Sequence, residues 1–285
     1  DTKESLLKKV RLATILGTFQ STLVNFKYVS AMWKKNCEEE RLLGVSLTGI
    51  MDNELTNGKS GDVGKLLDEL REEAVKTNKE YASKIGIPVA AAITCVKPSG
   101  TVSQLVDAAS GIHARHNPFY IRTVRGDKKD PLTKMMVDAG FPVEDDVMNP
   151  SHTSVFSFPM KVHKSAVFRT DMTAIEQLEL WLTYQKHWCE HKPSVTISVK
   201  EHEWLEVGAW VYANFDYMSG VSFLPFSEHT YKQAPYQDCD EKQYNEVLNI
   251  MPKNVDWGKL SDYEQMDMTT SSQELACVAG GCEIQ

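Results

Sequence analysis

Three short stretches of this 285-residue chain hold residues whose types and spacing can do chemistry. The first reads AITCVKPSGTVSQ: an apolar run from Ala90 to Val96 opens into Pro98, Ser99, Gly100 and Thr101, with a helix expected from Val102 or Ser103. A strand feeding such a turn suits an anion, because the N–H groups of a first helical turn are unpaired and sit at the positive end of the helix dipole. Ser99, Thr101 and Ser103 add hydroxyls, Gly100 admits a ligand close to the backbone, and Lys97 adds a cation. The plainer account is that Ser99 or Thr101 caps the helix, as in most such loops. The turn is neither a Walker loop nor a GxGxxG turn.

The second stretch, SGIHARHNPFYIRTVRGDKKD, packs His113, Arg115, His116, Arg122 and Arg125 together. Arg122 and Arg125 are oddly spaced on an expected strand and so face opposite sides of it. A ligand-binding edge and a solvated basic edge explain this stretch equally well. The two histidines lack nearby acidic or thiol ligands at metal spacing, so no metal is expected. The third stretch is QELACVAGGCEIQ, where Cys277 and Cys282 are separated by four residues of little bulk. Their sulfurs can meet without strain and are suited to thiol–disulfide exchange. Chance exposed thiols, or half a zinc site completed only by distant Cys239 and His229, are the alternatives.

The elements that would position these residues alternate between helical and strand-like patterns. KESLLKKVRLATILGTF places Leu6, Leu7, Val10, Ala13 and Leu16 at helical spacing. SGDVGKLLDELREEAVKTNKEYASKIG predicts a second amphipathic helix, capped by Ser60 or Asp62 and stopped at Gly86. DPLTKMMVDAG, TAIEQLELWLTYQKHWCEH and KEHEWLEVGAWVYAN read as further helices. Between them lie the strand-like runs FYIRTVR, TSVFSFPM, PSVTISV and GVSFLPF. This order predicts an α/β fold with a largely parallel sheet or barrel.

Composition narrows the classes. Residues 228–285 hold 11 acidic residues against 4 lysines, so most of the chain's net charge of −8 lies there. The stretch is polar and is expected to form a mobile extension after a main domain of residues 1–227. That sign disfavours a nucleic-acid binder. No apolar run approaches a membrane span and no signal-peptide pattern opens the chain. Six scattered cysteines do not make a disulfide framework, and a reducing, cytoplasmic setting is the simplest expectation.

Taken together, EEERLLGVSLTGIMD, VKPSGTVSQLVDAASGIHARHNPFYIRTVR, PSVTISV, TYKQAPY and ELACVAGGCEI resemble the C-terminal part of the large catalytic chain of adenosylcobalamin-dependent (class II) ribonucleotide reductases, especially the monomeric or phage type. The resemblance runs from about Arg11 to the end of the chain. It implies the second half of a ten-stranded α/β barrel, with residues 228–285 as an acidic extension ending in a mobile dithiol tail. Pro98, Ser99, Gly100, Thr101, Val102 and Ser103 match the turn that cradles the substrate's phosphates. Cys277 and Cys282 match the tail pair that reduces the active-site disulfide and is recharged by thioredoxin or glutaredoxin. His113 and Arg115 lie in a segment characteristic of the cobalamin class and are the residues it suggests for cofactor binding.

The family's radical-bearing N-x-C-x-E loop does not occur in this sequence. The resemblance would place that loop shortly upstream of Asp1, so this chain is expected to be a fragment or one piece of a split enzyme. It is then inactive without the N-terminal part. EHKPSV departs from the pattern by carrying Lys192 where Asn is expected. A nucleotide-binding remnant and a stand-alone thiol oxidoreductase are the rival readings. The latter is disfavoured because Glu274 and Glu283 would raise the thiol pKa.

Overall fold

A computed structural model describes residues 1–59, 61–100, 102–226 and 231–264. The contacts divide these residues into two compact units, 1–115 with 163–226 and 116–162 with 231–264. The first unit contains α1 (Lys3–Gln20), α2 (Ala31–Glu40), β1 (Val45–Ser46), α3 (Val63–Ile85), β2 (Thr94–Cys95) and α4 (Val102–Leu105). The second takes β3 (Phe119–Asp127), α5 (Pro131–Asp138), β4 (Val143–Asp145) and β5 (Thr153–Lys161). The chain returns to the first unit for α6 (Ala174–His187), β6 (Thr196–Val199), α7 (Trp204–Ala213) and β7 (Ser222–Pro225). It ends in the second with β8 (Tyr236–Asp238), α8 (Glu241–Ile250) and α9 (Leu260–Tyr263).

In the first unit, β1 pairs in parallel with β2, Val96 bridges in parallel to Pro193, and β6 pairs in parallel with β7. Four segments, 45–46, 94–96, 193–199 and 222–225, thus run side by side in one direction with their carboxyl ends on one edge. Val45, Thr94, Cys95, Val96, Ile197 and Val199 are buried, as parallel strands covered by helices require. Among the described residues no closed barrel forms; the sheets have two, four and two strands.

Helix α6 locks onto this array through two tryptophans, both fully buried. Trp181 Nε1 donates to the Pro193 carbonyl at 2.9 Å and Trp188 Nε1 to the Cys95 carbonyl at 2.7 Å. Just beyond the helix, the Glu190 carboxylate accepts the N–H groups of Ile93 (2.8 Å) and Thr94 (3.3 Å). Helix α3 packs between α1 and α6. It starts where Asp62 accepts the Lys65 N–H and stops at Gly86, whose φ of 74° favours glycine.

The buried stripe of α1 is Leu6, Val10, Thr14 and Thr18, not the expected run through Ala13 and Leu16. Leu16 is 71% exposed. The two threonines enter the core because each hydroxyl bonds back to the carbonyl four residues earlier, at 2.8 and 2.7 Å.

The second unit corrects the expectation of a largely parallel sheet. Its sheet runs β4-β5-β3-β8, and every pairing in it is antiparallel. FYIRTVR and TSVFSFPM therefore face each other in β3 and β5. The connection between them carries α5 and β4, and β4 itself adds to β5. Helix α5 begins as the sequence indicates, with Asp130 accepting the Leu132 N–H and Pro131 in the first turn. None of the described helices is long and apolar enough to cross a membrane.

Candidate functional site

The carboxyl edge of the parallel segments is where ligands bind in open α/β sheets, and the Pro98 turn lies there. β2 leaves the edge at Lys97, whose N–H donates to Ser46 Oγ at 3.0 Å. Lys97, Pro98 and Gly100 are exposed, and a Cβ built on Gly100 would meet nothing within 4 Å. Among the described residues Lys97 has no ion-pair partner. The expected helix exists as one turn, α4. Ser103 closes that turn and is fully buried. Its N–H donates to the Ser99 carbonyl at 3.0 Å, and its hydroxyl donates to the same carbonyl. Ser103 therefore shapes the turn from behind, while Val102 is 61% exposed. Thr101, Cys277 and Cys282 lie outside the described residues.

Thr48, just past β1, ties the turn to its neighbours. Its Oγ1 lies 2.6 Å from Ser99 Oγ, donates to the Ala109 carbonyl at 2.9 Å and accepts the Gly111 N–H at 3.0 Å. The segment after α4 thereby folds back against the start of the turn. Gly111 is required there. Its φ is +56° and a Cβ would stand 2.7 Å from the Lys97 carbonyl oxygen.

Asp52 fixes the other side of this returning segment. Its carboxylate accepts the Ala109 N–H at 2.7 Å and a two-pronged contact from Arg115, Nε at 2.8 Å and Nη2 at 3.0 Å. Arg115 Nη2 also donates to the Asp107 carbonyl at 2.6 Å, and Nη1 reaches Asp107 Oδ1 at 3.4 Å. The guanidinium is 7% exposed, so all its nitrogens are engaged inside the protein. His113 is engaged at both ring nitrogens. Nδ1 donates to the Ser110 carbonyl at 2.9 Å and Nε2 accepts the Thr196 N–H at 3.0 Å. Burial lowers its pKa, against the opposing pull of the Ser110 carbonyl, which favours the neutral ring this pairing needs. Any contact of His113 or Arg115 with a cobalamin would have to replace one of these protein partners.

The remaining basic residues of that stretch belong to the second unit. His116 pairs with Asp238 at 2.5 Å and packs against Tyr120 and Tyr236. Arg122 donates to Tyr236 Oη at 2.5 Å, and Arg125 to Asp146 at 2.6 Å. The two arginines thus have separate partners. Gln233 of TYKQAPY is 2% exposed and joins Glu144, Asp145 and Val147 through its side chain.

Next to the Pro98 turn, Cys95 and Cys189 are both buried. Desolvation pushes the Cys95 thiol up and, helped by Cys95 nearby, pushes Cys189 up to about 12. Both shifts favour the protonated thiol at neutral pH. Lys192 lays its ammonium against Gly220, where a Cβ would come within 2.8 Å of Nζ. The residues missed by sequence reading are Ser46, Thr48 and Asp52. The only local signal was their place after a short apolar run, in VSLTGIMD.

No family model matches the chain. Its relatives include a probable adenosylcobalamin-dependent ribonucleoside-triphosphate reductase of Dictyostelium discoideum, 36% identical over 235 residues, or 78% of this chain and 29% of that protein. The adenosylcobalamin-dependent ribonucleoside-triphosphate reductase of Euglena gracilis is 29% identical over 84% of this chain and 34% of its own length. That of Lactobacillus leichmannii is 24% identical over 87% of this chain and 37% of its own. A crystal structure of a B12-dependent (class II) ribonucleotide reductase shares the fold with a TM-score of 0.76 at 21% identity, covering 91% of this chain and 40% of that one. The chain spans about a third of the length of the curated relatives it matches. Over that length it belongs to the family of adenosylcobalamin-dependent ribonucleotide reductases.

Proposed function

We propose that this chain forms part of a reductase that converts ribonucleotides to deoxyribonucleotides, and that its contribution is to anchor the substrate's phosphates. The observation that carries this reading is the exposed Lys97–Gly100 turn at the carboxyl edge of parallel strands, in a chain 36% identical to a reductase of that kind. Ser99 and Thr101 are the hydroxyls offered to a phosphate. Ser103 and Gly111 hold the turn's shape, Lys97 supplies positive charge, and the backbone N–H groups of Gly100 and Val102 would complete the cradle.

The relatives are named for adenosylcobalamin, which supplies the radical that starts such chemistry when bound. No contact with it is assigned to His113 or Arg115. The parallel segments of 1–115 and 163–226 would contribute to the second half of the family's α/β barrel, while residues 231–264, expected as part of an acidic extension, pack with 116–162 in the second unit. Cys277 and Cys282 would carry reducing equivalents to the active site and be recharged by thioredoxin or glutaredoxin in the cytoplasm. The N-terminal part of the enzyme would supply the radical cysteine.

The test is to assay the 285-residue chain with adenosylcobalamin, a dithiol and each ribonucleoside di- and triphosphate. The assay is run alone and with the segment of the Dictyostelium relative that the chain does not match. Deoxyribonucleotide formed only in combination is the expected result. Turnover by the chain alone would contradict the proposed division of labour.

A further inference from the structure

The Thr48–Ser99 contact carries an inference that deepens the phosphate-anchoring role and rests on it. A hydroxyl has one proton to donate and two lone pairs to accept with. Thr48 has a partner for all three: the Gly111 N–H donates to it, the Ala109 carbonyl stands at 2.9 Å to take its proton, and Ser99 Oγ lies 2.6 Å away with either oxygen able to donate. With the Thr48 proton on Ala109, the Ser99 proton must point at Thr48. In that arrangement Ser99 can only accept, and it has nothing to donate to an anion.

The alternative arrangement is within reach of one bond rotation. The Ala109 carbonyl also accepts the Gly49 N–H at 2.8 Å, so it stays satisfied if the Thr48 proton leaves. That proton can then turn to Ser99 Oγ and release the Ser99 proton toward a phosphate oxygen. No proton changes its heavy atom. Each hydroxyl keeps its own hydrogen and the Thr48–Ser99 hydrogen bond reverses direction. The proton sent to the anion gains a charge-assisted bond, about twice as strong as the neutral bond given up at Ala109.

We infer that Thr48 is a positioning residue for phosphate recognition, acting through Ser99 by reversal of the Thr48–Ser99 hydrogen bond. The ligand is the polyphosphate of a nucleotide. Thr48 does not touch it.

The test is a double-mutant cycle on the full 285-residue chain, with inorganic tripolyphosphate as the probe and calorimetric affinity as the readout. Ser99→Ala should weaken binding by about tenfold, the worth of one hydrogen bond to a charged group. Thr48→Val should weaken it by about fivefold, because Ser99 loses the donor that frees its own proton. Thr48→Ser should restore affinity to within about twofold, since it keeps the hydroxyl. In the Ser99→Ala background, Thr48→Val should cost clearly less than in the unmodified chain, since only its bonds to Ala109 and Gly111 remain to be lost.

A merely structural Thr48 would give additive losses in the double variant, and that result overturns the inference. Thr48→Ala replaces the valine variant in the same cycle if the latter does not fold. If the unmodified chain binds no tripolyphosphate, the phosphate-anchoring role itself fails. If it binds and the losses add, only the role of Thr48 does.

Discussion

The Pro98 turn and the His113–Arg115 segment lie in the same unit, and both carry residue types that bind anions. They differ in where their polar atoms go. Lys97, Pro98 and Gly100 are exposed, and the space at Gly100 is open. Arg115 is 7% exposed, with its guanidinium held by Asp52 and Asp107, and His113 is bonded at both ring nitrogens. Cationic side chains in a sequence therefore mark two different things: a place to bind, or a strut that holds such a place together. Here the strut supports the turn, because Asp52 and Thr48 both grip the segment that passes beneath Lys97.

The contrast can be broken most forcefully at the strut. Arg115→Ala leaves the Asp52 carboxylate without its cation in a largely buried setting, and loss of about 3 kcal/mol or more is expected, measured by urea unfolding. A stable Arg115→Ala chain that instead failed to bind cobalamin would turn the strut into a ligand. Gly111→Ala comes next. It forces a side chain into positive φ and against the Lys97 carbonyl. About 2 kcal/mol of stability should go, together with tripolyphosphate binding, since the turn can no longer close.

At the turn the effects should invert. Lys97→Ala should leave stability within about 0.5 kcal/mol and lower anion affinity by several-fold, more so at low salt. A melting-temperature drop comparable to that of Arg115→Ala would erase the distinction. The smallest effect is a pH dependence. Burial holds His113 below its usual pKa of 6.5, so its contribution to stability is full above that value. The contribution is lost as pH falls through 6.5 toward the lower folded value, because the unfolded chain binds the proton first. Unfolding midpoints should fall between pH 7 and 5, and His113→Asn should flatten that slope.

Much of the helical frame was legible because its signals are local. Asp62 and Gly86 bracket α3, and Asp130 and Pro131 start α5. The α1 stripe was misread since apolarity was the guide, whereas Thr14 and Thr18 satisfy their own hydroxyls and bury like aliphatics. The direction of β3 against β5 was not legible, because an apolar run carries no sign of which way its partner runs. The site was half legible. Pro98 to Ser103 stands out as a turn, but Thr48 and Asp52 act on it from some 50 residues away in sequence, and only the fold joins them.

The most direct test of phosphate anchoring is to titrate the isotopically labelled chain with inorganic tripolyphosphate and follow the backbone amides. The account predicts that the resonances of Ser99 to Ser103 shift and saturate first, with those of His113 and Arg115 moving little. Saturable shifts centred on His113 and Arg115, with the Pro98 turn silent, would contradict it.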